Sequence, residues 1–251
     1  TNYATSASYY ANGILDTFTY GNGVTHKTSL NTRNMPSEIH DYKNSTNLVK
    51  LGYTYDNQNN IKTLTDGIYS NYSLTDLDYD GLDRLTSTTG GTAIGSSSIA
   101  YDAIGNITSY SNTSSSKSSA LTYTYNLTSN RLTDVSGTGS AGYDFSQTGS
   151  YDNRGNVLKN GMRTFDYNLA NQMTDSDGNK YEYDGYTRRV KSTDSKGISY
   201  SMYNHRGQLL YREVDGDPIS YIFLGEKLIA KDGVLPESTN NRMHTKPYGD
   251  S

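Results

Sequence analysis

Three patches of this sequence carry residue types that could do chemistry. Gly137-Thr-Gly-Ser-Ala-Gly142 has the glycine spacing of a dinucleotide-binding loop. Such a loop brings backbone N–H groups against a pyrophosphate and needs a strand before it and a helix after it. Tyr143-Asp-Phe-Ser-Gln-Thr-Gly follows instead, with no helical period, so the segment reads as a flexible hairpin tip. Asp175-Ser-Asp-Gly-Asn-Lys alternates ligand-type side chains as a calcium loop does, but its glycine falls at the fourth position rather than the sixth, and Arg188 lies near where the bidentate Glu belongs. It reads as a turn between strands. His26, His40, His205 and His244 form no pair at metal-ligand spacing, and His205 fills a turn slot expected to face solvent. No metal and no cofactor is expected.

Aspartate is abundant enough to suggest a glycosidase, which needs two carboxylates at a set separation across a cleft. Asp56, Asp80, Asp102, Asp152 and Asp184, however, all follow a tyrosine in a recurring context. A catalytic pair would stand outside the period, and none can be singled out. Tyr with Arg could serve a polysaccharide lyase, but the tyrosines are periodic too.

The elements that carry these residues read as strands. Leu121-Thr-Tyr-Thr-Tyr125, Tyr181-Glu-Tyr183 and Ser199-Tyr-Ser-Met-Tyr203 alternate in period two, as a sheet with one buried face requires. Only 42 of 251 residues are Leu, Ile, Val or Phe, yet there are 25 tyrosines, so any core must be rich in tyrosine. The tyrosine hydroxyls then need partners, which the many Ser, Thr and Asn side chains are expected to supply. There are 24 Gly and 4 Pro, and the fold class is all-β.

One unit recurs: Tyr, then Asp or Asn, a few turn residues, an aliphatic, and Thr or Ser. It appears as YDNQNNIKTL from Tyr55, YDGLDRLTS from Tyr79, YDAIGNITS from Tyr101 and YNLTSNRLTD from Tyr125. YDNRGNVLK from Tyr151, YNLANQMTD from Tyr167, YDGYTRRVKS from Tyr183 and YNHRGQLLY from Tyr203 follow, with an early relative at Tyr20 and a degenerate last copy at Tyr221. In each, Tyr is expected to end a strand, and the Asp or Asn to bond N–H groups ahead and close a turn. Gly105, Gly155 and Gly207 supply a position of positive φ, and Ile107, Val157 and Leu209 start the return strand on the tyrosine's face. The unit is thus a strand-turn-strand hairpin, and consecutive hairpins continue one curved sheet. The Ser/Thr/Gly-rich inserts 87–98 and 111–120 are expected to be exposed loops.

These motifs, YDAIGNITSY and YDNRGNVLKNG above all, resemble the tyrosine-aspartate (YD) repeats of the rearrangement-hotspot (Rhs) family. That family includes polymorphic bacterial toxins, wall-associated proteins, the C component of insecticidal toxin complexes and the animal teneurins. The resemblance covers residues 14–232. It implies a long β-sheet spiralling into a hollow shell, which in toxin members encloses a C-terminal effector. The tail ESTNNRMHTKPYGDS resembles the stretch before the family's terminal core motif, whose Asp-Pro element is absent here. Asp217-Pro218 lies mid-repeat without that context, so no catalytic residue is carried over.

The expected organisation is an irregular N-terminal β segment over 1–50, the repeat array over 51–232 and an irregular tail over 233–251. The expected role is a non-catalytic shell segment that encloses or presents a polypeptide; a saccharide- or cell-surface-binding module and a polysaccharide-degrading enzyme are the alternatives. The expected partners are the rest of a longer parent polypeptide or an effector, with glycans and edge-to-edge self-association also considered. A net charge of -4 without a basic run argues against nucleic acid. No apolar run reaches the length of a membrane-spanning helix. The absence of Cys and of an initiator Met fits a secreted or surface bacterial protein processed from something longer.

Overall fold

The computed structural model describes residues 2–114 and 118–233. Its strands form two antiparallel sheets in which every strand pairs with its neighbour in sequence. The first holds β1 (Ala4–Tyr9), β2 (Leu15–Tyr20), β3 (Thr25–Leu30), β4 (Pro36–Lys43), β5 (Thr46–Tyr55), β6 (Ile61–Asp66), β7 (Leu74–Tyr79), β8 (Leu85–Gly90), β9 (Ser96–Tyr101), β10 (Ile107–Thr113), β11 (Ser118–Tyr125) and β12 (Leu132–Thr138). The second holds β13 (Phe165–Tyr167), β14 (Met173–Ser176), β15 (Asn179–Tyr183), β16 (Arg189–Asp194), β17 (Gly197–Tyr203), β18 (Leu209–Val214), β19 (Asp217–Leu224) and β20 (Lys227–Gly233). The chain divides into two compact units. Of the described residues, 6–19 and 23–147 fall in one, and 2–5, 20–22 and 148–233 in the other.

The fold is all-β and built of consecutive hairpins. The array is divided into two sheets, where the sequence reads as one. The stretch 139–164 contributes turns and two isolated bridges, Tyr151 to Val157 and Lys159 to Thr164, and no named strand. No helix among the described residues is long and apolar enough to cross a membrane.

The two margins of each sheet differ. Along one margin of the first sheet lie the turns 31–35, 56–60, 80–84, 102–106 and 126–131, each led by Asn or Asp. Along the opposite margin the connections vary: 21–24, the two-residue link Asn44-Ser45, 67–73 with its single 3-10 turn Ser70–Tyr72, and 91–95. The second sheet repeats this pattern. Asn- or Asp-led turns 168–172, 184–188 and 204–208 alternate with two-residue links at 177–178, 195–196 and 215–216. Asp177-Gly178 and Asp215-Gly216 both hold positive φ at each residue, the geometry of the tightest hairpin turn.

Three expectations are corrected. The inserts 87–98 and 111–120 are largely strand, falling in β8, β9, β10 and β11. Their hydroxyls lace neighbouring strands, Thr88 to Ser97 at 2.7 Å and Ser98 to Ser111 at 3.0 Å, and Thr suits a pleated surface. Gly137 lies within β12, so the glycine-rich 137–142 leaves the sheet rather than capping a hairpin. Tyr20 leads a turn on the variable margin, and the N-terminal counterpart of the repeat turn is led by Asn31. The tail from 234 onward lies outside the described residues.

Candidate functional site

The repeat turn is one hydrogen-bonded motif. The Asp102 amide donates to the Asn106 carbonyl at 2.9 Å, and its Oδ1 accepts from the N–H groups of Ile104 (3.0 Å) and Asn106 (2.9 Å). Its Oδ2 accepts from the Asn106 side-chain amide at 2.7 Å. Asp56, Asp80, Asp152 and Asp184 repeat this arrangement, both oxygens of each engaged. Asn168 and Asn204 give the same pair of backbone bonds. Three residues after the leading Asp or Asn, or four in the longer 126–131 turn (Asn130, 54°), the chain takes positive φ. Gly105, Gly155 and Gly207 do so at 97, 92 and 83°. Asn59, Asp83, Asn171 and Thr187 do so at 74, 58, 60 and 65°.

Those bonds set the charge state of the turn. The guanidinium of Arg84 holds the Asp80 carboxyl below its ordinary value, as Arg188 does for Asp184. The Asn156 amide does the same for Asp152. At Asp102 and Asp56 partial desolvation pushes upward, and the hydrogen bonds from Asn106 and Asn60 with their neighbouring N–H groups outweigh it.

Tyr55, Tyr79, Tyr101, Tyr125, Tyr167, Tyr183 and Tyr203 are each the last residue of a strand. Each faces the first residue of the return strand: Ile61, Leu85, Ile107, Leu132, Met173, Arg189 and Leu209 in turn. Tyr151 faces Val157 as an isolated bridge. At every one of the seven strand ends the register slips by one residue, a β-bulge that interrupts the ladder.

The next repeat's tyrosine serves the interrupted ladder. Tyr79 Oη donates to the Ile61 carbonyl at 2.8 Å, Tyr101 to Leu85 at 2.8 Å and Tyr125 to Ile107 at 2.9 Å. Tyr183 donates to Met173 at 2.7 Å and Tyr203 to Arg189 at 3.1 Å. Tyr55 donates to Pro36 at 2.7 Å, the residue that faces Leu30. The hydroxyl partners are thus backbone carbonyls of the preceding hairpin, where the sequence suggests Ser, Thr and Asn side chains. Burial pushes Tyr55, Tyr79, Tyr125 and Tyr167 above the usual phenol range.

The turns are also tied to one another. In the first sheet Arg33 reaches Asp56 O (2.7 Å), Asn60 reaches Asp83 Oδ1 (2.9 Å), Arg84 reaches Asp102 O (3.1 Å) and Asn106 reaches Asn130 Oδ1 (2.7 Å). In the other unit Asn156 reaches Asn171 Oδ1 (2.9 Å), Arg188 reaches Asn204 O (2.7 Å) and Gln208 reaches Gly225 O (2.9 Å). Arg84 and Arg188 also lie over the rings of Tyr101 and Tyr203, at 4.5 and 5.3 Å. Each sheet therefore carries two seams, one of phenol-to-carbonyl bonds and one of turn-to-turn bonds.

The other candidate residues are accounted for locally. Asp175 Oδ1 accepts the Gly178 N–H at 2.8 Å and its other oxygen pairs with Lys180; Asp177 Oδ1 accepts the Thr164 N–H at 2.8 Å. No group of His, Asp and Glu among the described residues is arranged to hold a metal. Asp217 and Pro218 begin β19, and His205 is exposed. Sequence reasoning misses one buried polar cluster. His26 Nδ1 lies 2.5 Å from Asp41 Oδ1, Thr28 Oγ1 lies 3.2 Å from His26 Nε2, and the ring of Phe18 packs at 5.1 Å. Phe18 and Asp41 both face His26 across neighbouring strands. Period-two alternation from Val24 could have grouped Val24, His26 and Thr28 on one face, but the Asp41 register depends on recognising the Asn31 turn.

Two solved structures share this architecture. A Photorhabdus luminescens Tc holotoxin pore carrying a TccC3 mutation matches with a TM-score of 0.67 at 17% identity, over 91% of this chain and 13% of that one. A TcdB2–TccC3–Cdc42 complex matches with a TM-score of 0.67 at 16% identity, over 95% of this chain and 14% of that one. The chain therefore spans only a small part of the length of the chains it matches. No curated protein matches it. The Teneurin YD-shell family matches residues 25–226, the stretch that contains nearly all of the tyrosine and turn seams, and the chain belongs to that family.

Proposed function

We propose that this chain is a non-catalytic wall segment of a longer YD-repeat polypeptide, whose shell surrounds or presents another polypeptide. The observation that carries this reading is the double seam. The repeat carboxylates and most repeat phenols are committed to bonds within their own sheet or turn, which makes a hydrogen-bonded barrier of each sheet. One structural relative is part of a Tc holotoxin pore, and a secreted or surface setting accords with it. No bond need be made or broken by these residues for the wall to act.

The test uses the native product in its source. Its intact mass is expected to exceed 27.7 kDa, with polypeptide outside this segment resisting protease until the wall is unfolded by denaturant. A product of 27.7 kDa, or adjoining polypeptide digested as fast with the wall folded as with it unfolded, would overturn the reading.

A further inference from the structure

The large apolar side chains most open to solvent are not scattered over this chain. Among the described residues the first five are Leu82, Ile104, Leu127, Leu169 and Tyr186, 70% to 101% exposed. All five stand at tips of the Asn- or Asp-led turns, and none lies on the variable margin. The turn itself asks for no apolar residue, since Arg33, Gln58, Arg154 and Arg206 fill the middle slot of other copies. A single exposed leucine is ordinary. A run of such residues on consecutive turns is not.

In the first sheet the run is three turns long. The Leu82 and Ile104 N–H groups donate to Asp80 and Asp102 Oδ1 at 2.9 and 3.0 Å. Asn126 Oδ1 accepts from the Thr128 and Ser129 N–H groups at 3.0 and 2.9 Å. Arg84 reaches Asp102 O at 3.1 Å and Asn106 reaches Asn130 Oδ1 at 2.7 Å, so the three turns are held in one row. Each turn joins two strands, which spaces the tips about 10 Å apart. Asp80 is paired with Arg84, and Asp102 with its own turn. The other charged side chains of these turns mark the two ends of the row: Asp83 beside Leu82, and Arg131 closing the Leu127 turn.

We infer that the Leu82–Ile104–Leu127 row is a contact surface for a second copy of this chain, docked margin to margin about a two-fold axis. A row of apolar knobs spaced about 10 Å apart is matched by the same row run antiparallel. Ile104 then meets the partner's Ile104 on the axis, Leu82 meets the partner's Leu127, and Asp83 comes beside the partner's Arg131. Three side chains from each copy fall short of the roughly 1,200 Å² that a stable complex buries, so the pairing is weak and concentration-dependent. The second sheet offers a shorter run, Leu169 and Tyr186, bounded by the charged tips Arg154 and Arg206. This contact uses turn tips, not the open backbone edges of the sheet, and it is independent of what the wall surrounds.

Sedimentation equilibrium of the full chain is run from about 10 µM to about 1 mM. The weight-average mass is expected to rise from 27.7 kDa toward twice that value. Ile104→Asp sets like charges on the axis and should weaken the association by about tenfold or more, while Leu169→Asp leaves it unchanged. The chain has no Cys, so a single introduced thiol cross-links only between copies. Under mild oxidation Ile104→Cys should give a covalent dimer, and Leu82→Cys should do so only when combined with Leu127→Cys. These substitutions lie at exposed tips and should keep the parent's far-UV circular dichroism and melting temperature. The pairing is overturned by a single-chain mass at the highest concentration or by Leu82→Cys alone cross-linking as readily as Ile104→Cys. It is overturned equally by Ile104→Asp associating as the parent does, which would assign the association to the strand edges.

Discussion

The hydroxyl of Tyr79 donates to the carbonyl of Ile61 at 2.8 Å, and Ile61 is the residue that faces Tyr55 across the preceding hairpin. Each repeat tyrosine so placed completes the turn before its own. The array is therefore held by bonds that no single hairpin contains.

Removing one such hydroxyl isolates its worth. Tyr101→Phe keeps the ring and leaves the Leu85 carbonyl without its donor, at an expected cost of about 1 kcal/mol. Urea unfolding should show a lower midpoint with unchanged slope. Tyr186→Phe, at an exposed turn tip, should unfold as the parent does.

Thr187 takes positive φ, at 65°, where a β-branched residue is strained. Its side chain is exposed, and glycine fills the same slot at 105, 155 and 207. Thr187→Gly is expected to stabilise the protein by up to about 1 kcal/mol, read as a higher melting temperature. A lower one would show that the turn is not strained there.

The turn aspartates make the wall acid-sensitive. Asp80, Asp152 and Asp184 are held below their ordinary value of 3.8 by Arg84, Asn156 and Arg188 respectively. A carboxyl lowered on folding stabilises above its unfolded value, and that contribution is lost as pH falls through the lowered folded one. Stability should therefore decline below about pH 4. Asp152→Asn, which the Asn-led turns at 168 and 204 show to be compatible with the motif, should flatten part of that decline in an acid titration followed by circular dichroism.

The tyrosines act at the other end of the scale. Burial raises Tyr55, Tyr79, Tyr125 and Tyr167 above 10.0. A phenol raised on folding stabilises below its unfolded value, and that stabilisation is lost as pH rises through the raised folded value. In an alkaline titration followed by tyrosinate absorbance and circular dichroism, these four phenols should ionise above 10.0, together with loss of structure. A single early transition would contradict this.

Strand ends and turn slots are legible in the sequence, because Tyr-Asp followed by Gly or Asn carries its own local chemistry. Asp102 and Gly105 can be assigned from turn preferences alone. The bulge after Ile61 cannot: it is a mismatch in count between two strands, visible only once both are paired. The phenol acceptors follow from that bulge and are hidden with it. The Ser- and Thr-rich stretches mislead for another reason. Composition suggests loop, but long facing strands let Thr88 and Ser97 satisfy each other. Leu82, Ile104 and Leu127 are conspicuous only by exception, once the turn slots that hold Arg33, Gln58 and Arg154 have been given their places.

Pairing every strand only with its sequence neighbours also shapes how the chain acquires its structure. No strand pairing among the described residues waits on a distant strand, so the entropy of closing long loops, which slows most sheet proteins, is small for the ladders themselves. A hairpin formed early offers its open edge as template for the next, and growth can proceed in step with emergence of the chain from a ribosome or a translocation pore. The same order sets the manner of failure: a broken repeat would halt the zipper at that point and leave the hairpins before it intact.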